Sequence, residues 1–223
     1  MDLLTRLDAS EAVSDLGWRY ILGALRTQIP ALSLTHAAEI TSRTVHACTG
    51  EADEHLGLDL RPDRVHLALR TRSMNGVTQR DVDLAHRISG AVRDLGLRTE
   101  PGHRPVVQRL EIAIDAMDIH RIRPFWKAIM SYVDEPGAGP EGAIVDPAEQ
   151  SAPIWFQQMD RPRPQRNRIH LDISVPHDEA ERRIEAALAA GGRLAYADEA
   201  PAFWVLADAE GNEACVTSWQ GRD

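Results

Sequence analysis

Arg109-Leu110-Glu111-Ile112-Ala113-Ile114-Asp115 returns 59 positions later as Arg168-Ile169-His170-Leu171-Asp172-Ile173-Ser174. In both copies apolar residues alternate with others, the period of a strand with one buried face. The first copy offers Glu111 and Asp115 to one face, and the second offers His170 and Asp172. Each copy leads into an apolar helical stripe, around Phe125, Trp126 and Ile129 in one and Ile184, Ala187 and Leu188 in the other. Phe125 and Ile184 are again 59 apart, as are Ile129 and Leu188. A strand-plus-helix unit is therefore duplicated. A carboxylate in one copy and an imidazole at the matching place in the other predict a pseudo-symmetric cleft.

Short runs at Ile144-Val145, Ile154 to Gln158, Leu194 to Tyr196, Phe203 to Leu206 and Ala214 to Thr217 supply the other strands of this half. Each module reads β-α-β-β, with room for another short strand. Asp208-Ala209-Glu210-Gly211-Asn212 reads as a hairpin turn, with Gly211 or Asn212 suited to positive φ.

Upstream, the order reads β-β-α-β-α, a small sheet with helices on one face. Trp18 to Ile29 suggests a hairpin around Gly23. Helical spacing runs from Ser33 to about Ala52 through Ala37, Ile40, Thr44 or Val45, and Cys48. Val65, Leu67 and Leu69 alternate as a half-buried strand. Thr78-Gln79-Arg80-Asp81 resembles a capping box with Asp for Glu, opening a helix striped by Ala85, Ile88, Val92 and Leu95 and ended by Gly96. The polar stretch Arg98-Thr99-Glu100-Pro101-Gly102-His103-Arg104-Pro105 reads as a connection. The expected boundaries are a first domain over 1–98, a linker over 99–106 and a second domain over 107–223.

The net charge of -9 is uneven. Residues 1–104 hold 14 acidic and 13 basic side chains, and residues 105–223 hold 20 and 12, a balance that disfavours nucleic-acid binding. Cys48 and Cys215 do not make a disulfide framework. The N-terminus lacks a signal-peptide pattern, and no apolar run approaches the roughly 18 residues of a membrane helix. A soluble, cytoplasmic protein with no membrane partner is the expectation.

Three stretches of the second half, Phe125-Trp126, Asn167-Arg168-Ile169-His170-Leu171-Asp172 and Asp208-Ala209-Glu210-Gly211-Asn212-Glu213-Ala214-Cys215-Val216, resemble the glyoxalase-like branch of the vicinal oxygen chelate superfamily. The resemblance implies paired βαβββ modules around a shared cleft. In metal-dependent members a divalent ion sits there, held by the first and last strands of each module. Carried over, those positions fall on Glu111, Gln157, His170 and Cys215. Such a set mixes oxygen donors with a thiolate and suits Zn2+ better than Mg2+, although an amide is a poor ligand and the enzymes usually carry a carboxylate where Cys215 stands. With a metal, the chemistry would be polarisation of a carbonyl or enediolate oxygen, with Glu111 or Asp172 as base. Without one, the cleft would still hold a small molecule, as sequestering resistance proteins of the superfamily do. Plainer readings stand beside these. Glu111 and His170 would form a buried hydrogen-bonded pair, Cys215 a small buried hydrophobe, and Asp172 a loop cap or a partner of Arg168. Trp155, Trp204 and Trp219 would line a cavity or belong to the core. Arg161-Pro162-Arg163-Pro164-Gln165-Arg166 would attract an anion or simply connect the modules.

Leu16 to Leu97 resembles the pterin-4a-carbinolamine dehydratases. The matching residues are Gly17-Trp18, Asp53-Glu54-His55, Arg64 to Thr71, and Gly76-Val77-Thr78-Gln79-Arg80-Asp81-Val82-Asp83-Leu84-Ala85. The resemblance implies an α+β fold, a homo-oligomer such as a dimer, and dehydration assisted by clustered histidines. Here the His-His-Pro core motif reads Glu54-His55-Leu56, and the further histidine after the strand is Arg72. Only His55 and Asp81 remain, with Glu54 as a substitute acid or base. Arginine keeps its proton and cannot serve in its place. The expectation is a lyase- or isomerase-type enzyme, or a ligand-binding protein, acting through the second domain, with a dehydratase-like domain kept for oligomerisation or ligand binding. The alternatives are a 4a-hydroxytetrahydrobiopterin dehydratase with an accessory domain, and a non-catalytic sequestering protein.

Overall fold

The computed structural model describes residues 2–101, 109–162, 171–218 and 220–221. His170, Trp219, most of the expected linker and most of the Arg161–Arg166 stretch lie outside the described residues. The chain forms two compact units, Met1–Arg109 and Leu110–Asp223. Among the described residues no helix is long and apolar enough to cross a membrane.

Unit 1 begins with helix α1 (Arg6–Glu11) and the hairpin β1 (Arg19–Ile21) and β2 (Ala24–Pro30). The turn between them puts Leu22 and Gly23 at positive φ. Helix α2 (Leu34–Ala47) starts where the Ser33 hydroxyl accepts from the His36 amide at 3.1 Å. A short helix α3 (Ala52–His55) leads into β3 (Leu56–Arg61) and β4 (Arg64–Leu69), and α4 (Gln79–Asp94) closes the unit. The antiparallel sheet runs β1-β2-β4-β3. Val65, Leu67 and Leu69 of β4 face Ile40, Leu84, Ile88 and Val92 in one core, together with Trp18. The observed order corrects the sequence reading, which lacked α1 and β3. Leu56, Leu58 and Leu60 do alternate, but Gly57 weakens strand propensity and the stretch carries the Asp59 and Arg61 charges.

Thr99 and Glu100 fall inside the stretch read as a linker, yet they belong to unit 1. Glu100 exchanges backbone hydrogen bonds with Gln28, both at 3.0 Å, and the Thr99 hydroxyl donates to the Leu16 carbonyl at 2.6 Å. Gly17 allows this approach. A Cβ on Gly17 would lie 2.3 Å from the Thr99 carbonyl oxygen, and its φ is +81°.

Unit 2 contains two βαβββ modules. The first is β5 (Ile112–Ala116), α5 (Ile119–Met130), β6 (Val133–Asp134), β7 (Ile144–Val145) and β8 (Ile154–Gln158). The second is β9 (Leu171–Ser174), α6 (Ala180–Ala189), β10 (Arg193–Tyr196), β11 (Phe203–Ala207) and β12 (Glu213–Thr217). Their sheets have the same topology, β5-β8-β7-β6 and β9-β12-β11-β10. In each, the first strand lies parallel to the last and the other pairs are antiparallel. One core joins the modules. Ile114, Ile154 and Phe156 of the first and Leu206, Ala214 and Val216 of the second pack with Ile122, Phe125, Trp126 and Ile129 of α5.

The turn motif is a second joint between the modules. Asp208 Oδ1 accepts from the amides of Glu210 and Asn212 at 2.9 Å each, and its Oδ2 accepts from the Trp126 indole at 3.0 Å. The Glu210 carboxylate accepts from the amides of Met117 and Asp118, at 2.8 and 2.7 Å, at the start of α5. These amides have no partner within the helix, and a carboxylate there also meets the positive end of the helix dipole.

Replacing Gly17 with Ala is expected to destabilise unit 1 by about 2–3 kcal/mol, because it combines a left-handed backbone with a backbone collision. Gly50→Ala isolates the backbone cost, about 1 kcal/mol, since Gly50 has φ +89° with nothing within 4 Å of a Cβ. Urea midpoints of the two variants compare the effects; equal losses would show that the Thr99 contact is soft.

Candidate functional site

In unit 1 a buried polar cluster forms where α3, the end of β4 and the start of α4 meet. His55 and Asp81 are 3% and 0% exposed, and His55 Nδ1 lies 2.8 Å from Asp81 Oδ1. The other carboxylate oxygen, Oδ2, accepts from the Thr71 hydroxyl at 2.9 Å, the Thr78 hydroxyl at 3.1 Å and the Thr78 amide at 2.8 Å. The last bond completes the capping box of α4. A buried carboxylate holds its charge only with such partners. Asp81 therefore orients His55 and fixes the helix start with one side chain.

Glu54 and Arg72, expected from the resemblance to replace histidines, are both engaged structurally. The exposed Glu54 carboxylate accepts from the Ser73 amide at 2.9 Å. Hydrogen bonding to Ser73 holds it below the usual carboxylate range, away from a group that gives up a proton near neutral pH. Arg72 donates from Nε to the Asp53 carbonyl and from Nη2 to the Leu56 carbonyl, each at 3.1 Å. Together they tie the loop after β4 to α3. His55, Glu54 and Asp81 are brought to one locality, and His55 is its single imidazole.

A cleft of 360 Å³ lies toward the other end of α4, lined by residues including Leu16, Gly17, Ser89, Arg93 and Thr99. Its floor is a directed chain. The Trp18 indole donates to Ser89 at 2.9 Å, Ser89 and Thr99 hydroxyls meet at 3.1 Å, and Thr99 donates to the Leu16 carbonyl. That chain explains the polar floor as architecture.

In unit 2, alternation sends one side of each sheet to the core and the other outward. Ile154 and Phe156 are buried while Trp155 and Gln157 are exposed. Parallel register sets Ala113 beside Trp155 and Asp115 beside Gln157 in the first module. In the second it sets Asp172 beside Cys215 and Ser174 beside Thr217, whose hydroxyls lie 2.9 Å apart. Val205 and Phe203 continue these two rungs onto β11, and Phe203 stacks on Tyr196 at 5.9 Å. Trp204 packs against the core, which resolves its reading in favour of structure. Burial, reinforced by a hydrogen bond with Asp172 and the charges of Asp172 and Glu213, pushes the Cys215 thiol up to about 11.

The structure does not gather the described members of the expected metal set. Asp115 is level with Gln157, so Glu111, four residues earlier, lies roughly 13 Å back along the strand direction. Glutamate and glutamine ligands of one ion must bring their oxygens within ~4.5 Å, given metal–oxygen distances of about 2 Å. Glu111 also precedes β5 and is exposed. Cys215 is rather the neighbour of Asp172, with a thiol that holds its proton. Among the described residues no three His, Cys, Asp or Glu side chains converge as metal ligands. The described donors, Glu111, Gln157 and Cys215, do not by themselves make a divalent-ion site. Sequence reading missed that the spacing from first to last strand is one residue longer in the second module. Ile112 pairs with Ile154 and Leu171 with Ala214, so first strands are offset by 59 and their partners by 60. Trp155, not Gln157, is the counterpart of Cys215.

Two units of these folds, a dehydratase-type sheet with its His–Asp cluster and paired glyoxalase-type modules, define a two-domain α+β protein. Comparison with known families agrees. Residues 2–91 match the pterin 4 alpha carbinolamine dehydratase model and residues 111–217 match the glyoxalase-like domain model. A Mycobacterium avium (strain 104) protein named as a pterin-4-alpha-carbinolamine dehydratase is 37% identical over 93 residues, 41% of this chain and 98% of its own. The chain belongs to the pterin-4-alpha-carbinolamine dehydratase family and carries a glyoxalase-like domain after that unit. A transcriptional coactivator/pterin dehydratase from Brucella melitensis is 24% identical, covering 40% of this chain and 98% of that one with a TM-score of 0.36. The Listeria monocytogenes fosfomycin resistance protein FosX, in a structure with Mn(II) and sulfate, is 14% identical, covering 52% and 95% with a TM-score of 0.40.

Asp81→Ala would leave His55, Thr71 and Thr78 without their common acceptor, and a loss of about 3–5 kcal/mol is expected in unit 1 by chemical denaturation. In a Cys48→Ala background, alkylation of Cys215 should rise with pH through about 11. Asp172→Asn removes a hydrogen bond and a charge that both favour the protonated thiol, so the midpoint should move down. An unmoved midpoint would show that burial alone sets the thiol.

Proposed function

We propose that the protein binds a small organic molecule on the outward sheet faces of the glyoxalase-like unit, and that the dehydratase-like unit serves as a folded self-association module, most simply in a homodimer. The observation that supports this is the contrast between the units. Unit 2 presents Asp115, Trp155, Gln157, Asp172 and Ser174 from adjoining strands of two matched sheets, whereas in unit 1 Glu54 and Arg72 are engaged in tying one loop to α3. Dehydration of a carbinolamine needs groups that exchange protons near neutral pH, and His55 alone, fixed by Asp81, is not a pair.

A lyase- or isomerase-type turnover in unit 2 is the second reading. It is favoured by the Asp172–Cys215 rung, where a carboxylate and a protonated thiol lie side by side. Asp172 would take a proton from a bound substrate, and Glu111 would act from the first module. Neither reading requires a divalent metal on Glu111, Gln157, His170 and Cys215.

The full-length protein is expected to leave the dehydration rate of 4a-hydroxytetrahydrobiopterin at its uncatalysed value. Turnover that disappears in His55→Ala would overturn the division of roles. After dialysis against Zn2+ or Mn2+ and removal of free ion, elemental analysis should find less than one ion per chain; a stoichiometric ion lost in Glu111→Ala would restore the metal reading. Light scattering at the monomer mass would remove the self-association role.

A further inference from the structure

We infer that the cleft beside the C-terminal half of α4 takes a small zwitterion of the α-amino acid type. The site lies within unit 1 and is independent of the ligand reading of unit 2. It is also separate from the His55–Asp81 cluster, which sits at the start of the same helix. Its volume of 360 Å³ is at the small end of the roughly 300–1,000 Å³ of small-molecule sites. The first observation is how firmly its walls are set. The Thr27 hydroxyl, 0% exposed, donates to the Gly17 carbonyl at 2.9 Å and to the Glu100 carbonyl at 3.2 Å. The Thr99 hydroxyl donates to the Leu16 carbonyl at 2.6 Å. These bonds join the segment before β1 to the segment after α4, so the cleft is formed in advance and a ligand pays little to order it.

The second observation is the direction of the hydrogen bonds in the floor. A hydroxyl has one proton to give. Thr99 gives its proton to Leu16, so in the 3.1 Å contact between the two hydroxyls Ser89 donates and Thr99 accepts. Ser89 in turn accepts from the Trp18 indole at 2.9 Å. Both hydroxyl protons are spent, and the floor has only lone pairs left to offer. A ligand group that meets it must bring its own N–H donors, as an ammonium does. The end of α4 adds the negative pole of a 16-residue helix, which favours a cation. The rim makes the opposite demand. Arg93, from the last turn of α4, and Arg98 line the cleft, and both are exposed. The Arg93 guanidinium lies back along its own helix, where a Cβ on Gly90, next in sequence to Ser89, would be 4.0 Å from its Nη2. A guanidinium takes a carboxylate through two parallel bonds. Acceptors in the floor and a guanidinium above them, in so small a space, ask for an ammonium and a carboxylate on one short molecule.

The test begins with melting curves of the full-length protein in the presence of each of the twenty common L-amino acids. Calorimetric titration then compares the amino acid that raises the midpoint most with its deaminated acid and its decarboxylated amine. The amino acid should bind about fivefold or more tighter than either analogue. Arg93→Gln should weaken the amino acid by about fivefold or more and leave the decarboxylated amine within about twofold. Ser89→Ala should weaken the amino acid and the amine and leave the deaminated acid within about twofold. Should Ser89→Ala fail to fold, because Trp18 loses its acceptor, Arg93→Gln and the two analogues still decide. Binding of none of the twenty amino acids would overturn the ligand class. An analogue lacking either charged group that binds as tightly as the amino acid would overturn it too, and a tight deaminated acid would make the cleft a plain anion site. Amino acid affinity unchanged by Arg93→Gln would overturn the site. None of these outcomes touches the ligand reading of unit 2.

Discussion

The parallel pairing of first and last strands in each glyoxalase-like module is the constraint on which the second unit depends. Register in that pair decides which side chains become neighbours on the outward face. It sets Asp115 with Gln157 and Asp172 with Cys215, and it sets Glu111 far from Gln157. Because a strand's side chains alternate, a shift of one residue exchanges core and surface positions. The one-residue difference between the modules lies in the chain before the last strand, and pairing leaves no such exchange of faces. The inward residues absorb the difference, since Ile154 and Ala214 fill equivalent places in one shared core.

Several carboxylates at turns and helix starts act as acceptors for backbone and hydroxyl donors. Asp81 holds Thr71, Thr78 and His55; Asp208 organises the hairpin turn and anchors Trp126; Glu210 caps α5; Glu54 holds the amide of Ser73. Each would be a candidate acid or base by residue type alone. The geometry shows instead that they satisfy amides that would otherwise be left without partners at turns and helix starts. In unit 1, Glu54 and Arg72 tie the loop after β4 to α3, beside the buried His55–Asp81 pair.

The architecture was legible because both units obey simple periods. The alternation at Ile112 and Ile114, repeated at Leu171 and Ile173, identified the duplicated strand, and the stripe Ala85, Ile88 and Val92 identified α4, whose cap is Thr78 with Asp81. Strand β3 was not legible, because Gly57 and two charged residues interrupt the apolar alternation while the hairpin with β4 supplies the stability. The site was less legible still. Glu111 looked like a strand residue, but β5 begins at Ile112. Gln157 and Cys215 were placed by resemblance, 58 residues apart, whereas strand pairing offsets the last strands by 60. A repeat measured on first strands and helices carries no information about the length of the connection before the last strand, and that connection sets the register.

The same register gives the duplicated fold its asymmetry. Trp155 occupies in the first module the rung that Cys215 occupies in the second. One is a flat, exposed aromatic surface beside a carboxylate and an amide. The other is a small thiol pushed up by burial and, secondarily, by Asp172 and Glu213, with a Ser–Thr pair one rung along. A symmetric donor set around a central ion would require the two halves to offer equivalent groups at equivalent rungs. These halves offer different ones at matching rungs, Trp155 in the first and Cys215 in the second.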